Sequence, residues 1–256
     1  MVVRGRCRLE GLPQEHAVCG PGGRRECRAQ GARPRPQDRR GLRPRPRRGA
    51  RRYTGPVCRI CRREGMKLFL KGEKCFTKCT FEKRSSPPGM HQQRRRKVSD
   101  FALQLREKQK ARRMYGVLER QMKNTFDRAA EVTGATGETL LINLESRLDN
   151  AVYRAGFAKS RAQARQLVNH GHITLNGRVS SIPSHEVKAS DEIAVKESSR
   201  ASNYFKEVAG WAKTQTRPGW LEVDPDAYTA RVLAKPTRDQ IEAQVNTQLI
   251  VEHYSR

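Results

Sequence analysis

The stretch from Glu145 to Asn176, ESRLDNAVYRAGFAKSRAQARQLVNHGHITLN, constrains the fold more than any other part of the chain. Leu144, Leu148, Ala151, Val152 and Ala155 recur at spacings of three and four, the period of a helix with one apolar face. Gly156 ends it, because glycine tolerates the left-handed conformation just past a last helical turn. Ser160 opens a second helix, and Gln163 three residues later completes a capping-box pattern. Ala164, Leu167 and Val168 form the buried stripe of this helix, which stops at Gly171. Ile173, Leu175 and Val179 then read as strand around Asn176-Gly177, a strong two-residue hairpin turn.

This wedge carries a row of cations and hydrogen-bond donors: Arg147, Arg154, Lys159, Arg161, Arg165, His170, His172, Asn176 and Arg178. Arg161 and Arg165 stand one turn apart, on a face that the apolar stripe leaves free. Any single arginine is by default part of a solvated surface. The row differs, because Asp149 is the only acid between Arg147 and Arg178, and a surface built for solubility mixes its signs. A face so uniformly cationic suits a polyphosphate backbone.

Composition agrees. The net charge is +27 and the pI about 10.7, with 36% hydrophobic residues, so the cores are modest and nucleic acid is the expected partner. There is no run of about eighteen apolar residues and no apolar signal core, so neither a membrane nor secretion is expected. In the cytoplasm thiols stay reduced, and clustered cysteines favour metal over disulfide. Cys58-x2-Cys61 and Cys75-x3-Cys79 form two short pairs separated by a loop. That is how a chain delivers four thiolates to one structural zinc ion, leaving no open position for catalysis. His91 is a spare ligand.

The chain divides into four parts. Residues 1–52 form an arginine-rich leader with glycine and proline and no period, expected to be disordered. Every basic residue up to Arg52 is arginine, whereas lysine is common after Tyr53. GC-rich DNA read as protein has this composition, so residues 1–49 are expected to be dispensable, with translation starting near Ala50. Residues 53–93 hold the cysteines. Residues 94–141 form a helical domain, completed by the tail 226–256. It begins with the basic run Arg94-Arg95-Arg96, and Ser99 or Asp100 caps a helix. On that helix Phe101, Leu105, Met114 and Leu118 are expected inside; Lys108, Arg112 and Arg113 are expected outside. Residues 142–225 hold the wedge, short strands at Glu186–Lys188 and Ile193–Val195, and a helix across Tyr204, Phe205, Val208 and Trp211. The fold class is α+β: a helical domain with an N-terminal zinc-binding loop region, plus a small RNA-binding domain of helices packed on a short antiparallel sheet.

Three blocks carry a resemblance to a known family. SRLDN, SRAQARQLV and HGHITLNGR resemble an RNA-binding module shared by a ribosomal protein and some RNA-modifying enzymes. SDFALQLREKQKARRMYGVLERQ resembles the helical domain of that ribosomal protein, which the enzymes lack. YTGPVCRICRREGMKLFLKG resembles its opening, in the branch that retains metal-binding cysteines, and PTRDQIEAQVNTQLIVEHYSR its C-terminus. From Tyr53 to Arg256 the chain is identified as a member of the bacterial-type family of small-subunit ribosomal protein four. The resemblance implies binding of the 5′ domain of 16S rRNA at a helical junction and nucleation of the 30S body. It also implies contact with small-subunit protein five and neighbouring proteins, with an effect on translational accuracy, a C-terminal tail packed on the first domain and, in some members, binding of the protein's own operon mRNA. The rRNA-binding set is the row above with Arg94, Arg95, Arg96, Arg112 and Arg113. No catalytic constellation and no small-molecule site is found. The alternatives are an extra-ribosomal RNA-binding regulator and an RNA-modifying enzyme carrying the same module.

Overall fold

The computed structural model describes residues 52–89, 97–213, 216–241 and 244–255. The leader through Arg51, His91 and the run Arg94, Arg95 and Arg96 lie outside the described residues.

The N-terminal part starts with α1 (Cys58–Glu64), which stops at Gly65 with φ of 72°, and two single turns, α2 (Lys74–Thr77) and α3 (Thr80–Lys83). In α4 (Asp100–Met114) Ser99 is the N-cap, its hydroxyl accepting from Ala102 N–H at 3.4 Å. The buried side of α4 is Gln104, Lys108, Ala111 and Met114, while Phe101 is half exposed. Lys108 therefore lies inside, against expectation, because Glu119 receives its ammonium at 2.7 Å and its stem covers apolar surface. Two further helices follow, α5 (Glu119–Glu131) and α6 (Thr136–Glu145). Met122, Leu140, Leu141 and Leu144 are fully buried between them.

The apolar period from Leu144 to Ala155 does not form one helix. It is cut at Ser146–Arg147, and α7 (Leu148–Arg154) starts anew. The cause is tertiary: Val187 N–H donates to the Ser146 carbonyl at 2.8 Å and Leu148 N–H to that of His185 at 2.7 Å. The segment read as a strand at Glu186–Lys188 makes one bridge, Arg147 to Glu186, and joins no strand of the sheet. Gly156 then has φ of 84°, and α8 (Arg161–Asn169) begins at Ser160, whose hydroxyl accepts from Gln163 N–H at 3.3 Å. Gln163 reaches back to Lys159 N–H at 3.0 Å instead of to the cap residue, so the box closes one residue early.

Strands β1 (Ile173–Leu175), β2 (Arg178–Val179) and β3 (Glu192–Val195) precede α9 (Glu197–Arg200) and α10 (Asn203–Lys213); β4 (Leu221–Asp224) and β5 (Thr229–Val232) follow. They make one antiparallel sheet in the order β2-β1-β3-β5-β4. Leu175 faces Arg178 across the Asn176-Gly177 turn, where both residues have positive φ. That matches the twist of a tight hairpin. The second core packs Leu148, Val152, Phe157, Val168 and Ile173 on Ile193, Phe205 and Trp220.

The tail returns to the first core. Ile241, Val245 and Ile250 are buried there beside Leu68, Met122 and Leu140. The last helix, α11 (Thr247–Tyr254), is capped by Asn246 and packs on α4 and α6. Gly137 allows this approach, since a Cβ there would stand 2.7 Å from Thr247 Cβ.

Candidate nucleic-acid interface

A groove of about 730 Å³ runs between the end of α4, the segment Arg52–Thr54 and the outer side of α8. Its walls include Arg52, Arg112, Arg113, Arg161 and Arg165. The fold thus brings together four cations singled out from two distant stretches, and adds Arg52. Each is held. Arg112 donates to Glu119 at 3.1 Å, and Arg113 lies over the Tyr53 ring at 5.4 Å. Burial, with Arg112 beside it, pulls the Arg113 pKa down. Arg161 donates to the Asn150 side-chain oxygen at 2.7 Å and spans the rings of Tyr153 and Tyr115 at 4.6 and 5.1 Å.

Arg165 is not on a free face. It is 8% exposed, pairs with Asp149 at 3.0 Å and donates to the Gly116 carbonyl at 3.3 Å. Burial, partly offset by Asp149, lowers its pKa to about 10. Arg147 is equally buried and grips the same carboxylate with two hydrogen bonds, 3.2 and 3.1 Å. Asp149, the lone acid of the cationic row, is therefore the clasp between two of its arginines. Arg154 donates at 2.5 Å to Glu145, which is fully buried. Burial pushes the Glu145 carboxyl up, but Arg154 and Arg161 outweigh it and hold the pKa below its ordinary value. Tyr115 beside it is pushed well up, by burial first and then by the Glu145 charge. Sequence reasoning gave Glu145 no role; its partner Arg154 lies nine positions on, across the break at Ser146–Arg147, so spacing carried no signal.

The rest of the row serves smaller ends. Lys159 is half exposed and 3.5 Å from Glu73. His172 shares a hydrogen bond of 2.9 Å with Ser199 and meets Phe205 edge-on. Asn176 has its side chain tied to Asp191 and Glu192 across the sheet, at 2.9 and 2.8 Å. His170 and Arg178 are exposed.

Of the four thiols, Cys61, Cys75 and Cys79 are buried and Cys58 partly so. Among the described residues no group of three or more His, Cys, Asp or Glu side chains is placed to hold a metal ion. Two short cysteine pairs are the donor type that zinc takes. Lys71 N–H points at Cys75 Sγ at 3.4 Å, the kind of contact that favours thiolates. Burial raises the Cys61 thiol pKa, the Leu68 amide opposes this, and the charges of the other three cysteines add to the rise.

Comparison with known proteins follows this architecture. A family model described as "Ribosomal protein S4/S9 N-terminal domain" matches residues 52–145, and one described as "S4 domain" matches residues 146–193. The chain is 59% identical over 206 residues to "Small ribosomal subunit protein uS4A" of Symbiobacterium thermophilum, covering 80% of this chain and 99% of that one. It is 56% identical over 206 residues to "Small ribosomal subunit protein uS4" of Desulforamulus reducens, and 54% identical over 206 residues to that of Geobacter sp., with the same coverage. With both family models matching in order, and relatives covered almost end to end, the chain belongs to the uS4 family of small ribosomal subunit proteins.

Proposed function

We propose that the chain is a structural protein of the small ribosomal subunit, not an enzyme, that binds the 5′ domain of 16S rRNA early and nucleates assembly of the subunit body. The observation that carries this is the 59% identity to a small ribosomal subunit protein matched over 99% of its length. The five-arginine groove supports it. The deep groove of A-form RNA is closed to side chains, so a helical junction is read through its shape and phosphates. Cations held on rigid helices suit that task better than mobile ones. The protein works in the cytoplasm on the ribosome and touches small-subunit protein five there with an effect on decoding accuracy; its own operon mRNA is a further RNA partner, as it is for some members of the family. Footprinting on naked 16S rRNA tests the first step. Protection of a helical junction in the 5′ domain is expected; equal protection along the whole molecule, or none, rejects it.

The same reading gives the cysteines one structural zinc ion, held by Cys58, Cys61, Cys75 and Cys79. The spacing of the two pairs, the burial of three thiols and the amide facing Cys75 support it. The metal would stiffen a loop too short to bury a core of its own.

A further inference from the structure

We propose that Phe69 and Phe76, beside the cysteine loop, form a stacking site for one unpaired nucleobase; this rests on the RNA-binding reading above and adds a specific contact to it. The two rings are stacked, with centroids 5.0 Å apart and planes at 28°. Phe76 is 61% exposed and Phe69 37%. An aromatic pair left in water on a chain with so few aromatics calls for a partner.

The backbone underneath is arranged to keep it there. Phe69 has φ of 50°, in the left-handed region that a bulky residue avoids. Such strain persists only where the surroundings enforce it, and it gathers at ligand sites. The enforcing contacts are present: Leu68 is buried to 1%, and Gly72 lies tight against the Lys159 backbone. The pair borders a cavity of about 380 Å³ whose other walls include Tyr153, Arg154, Arg161 and Trp211. Rings and guanidinium planes around one space are what a base accepts on both faces.

Charge selects the occupant. Lys71, Lys74 and Lys78 are exposed in the same short segment as the pair, where Glu73 is the one acid, so the aromatic island is small and its segment is cationic. A protein partner needs a broader apolar patch. A flipped-out nucleotide needs only this: a platform for the base and cations for the phosphates on either side.

The test uses the full chain and a 16S rRNA 5′-domain transcript. Phe76→Ala is expected to weaken binding roughly 5- to 100-fold, the range for loss of one stacked base. The slope of affinity against salt should stay unchanged, because no phosphate contact is lost. Phe76→Tyr should restore affinity, which also separates stacking from damage to the loop. In the footprint, one unpaired nucleotide protected by the wild-type protein should become reactive with Phe76→Ala while junction protection persists. Wild-type binding with no effect of Phe76→Ala on affinity or footprint overturns the stacking site and leaves the RNA-binding reading standing. Normal RNA binding by Phe76→Ala with poor incorporation into subunits also overturns it, assigning the pair to a protein neighbour. Failure of the wild-type protein to protect the 5′ domain at all is the separate result that sinks the reading beneath.

Discussion

Gly72 lies so close to Lys159 that a Cβ on it would stand 2.0 Å from the Lys159 carbonyl oxygen. The turn after the first cysteine pair is thereby pressed onto the start of the second helix of the module, with Glu73 and Lys159 at the rim. Gly72 also has φ of 64°, so both space and backbone demand glycine. Gly72→Ala should cost about 2 kcal/mol or more in chemical denaturation. Gly65→Ala, with φ of 72° but nothing within 4 Å, should cost only about 1 kcal/mol, the strain alone. Equal losses would show that the close approach does not matter.

Glu145 joins the two cores through charge. Replacing it with Gln removes the buried carboxylate that Arg154 grips, and breaking a buried pair this way costs about 3 kcal/mol. The pH dependence has a definite sign. The folded pKa of Glu145 lies below its ordinary value of 4.5, so the stabilisation is full above that pH and is lost as pH falls through the folded value. The stability gap between wild type and Glu145→Gln should therefore close on acidification. A gap that stays constant down the acid limb would assign the loss to packing.

Two arginines of the cationic row should respond oppositely. Arg165→Ala strips Asp149 of one of its two partners and should lower stability by about 2–4 kcal/mol. Arg178→Ala, at an exposed hairpin position, should leave stability unchanged and reduce the salt slope of RNA binding by about one. Thermal unfolding and salt-dependent binding on the same pair of variants separate the roles. A stable Arg165→Ala would return that residue to a simple phosphate contact.

Protein purified without chelator should contain about one zinc per chain. Cys58→Ser should lower that content and the unfolding temperature together. Zinc content near zero, or unaltered by the substitution, removes the metal from the loop.

Deleting residues 1–49 should leave binding to the 5′-domain transcript within about twofold, an effect smaller than 0.5 kcal/mol. The family models begin at residue 52, the last residue of the arginine-only segment. A loss of tenfold or more would make the leader part of the interface.

The turns and caps of this chain were legible because they depend on neighbours in sequence. Ser99 and Ser160 cap as their positions indicate, and Asn176-Gly177 makes its hairpin. The break at Ser146–Arg147 was not legible, because hydrogen bonds from residues around His185 and Val187, some forty positions away, override an unbroken apolar period. The charges misled in the same way. A sequence shows the sign of Arg147 and Arg165 but not that Asp149 sits between them. Their burial follows from that pairing, and so does the burial of Lys108 against Glu119.

The return of the tail to the first core also bears on the order of events during synthesis. Ile241, Val245 and Ile250 fill the space beside Leu68, Met122 and Leu140, so the helical part is finished by residues made after the whole module. The module from Leu148 to Val232 has its own core and can close while the chain is still growing. The helical part cannot; it waits for Ile241, Val245 and Ile250. A chain broken off before Ile241 would therefore have a hole at the centre of its helical part, and would not merely lack a tail.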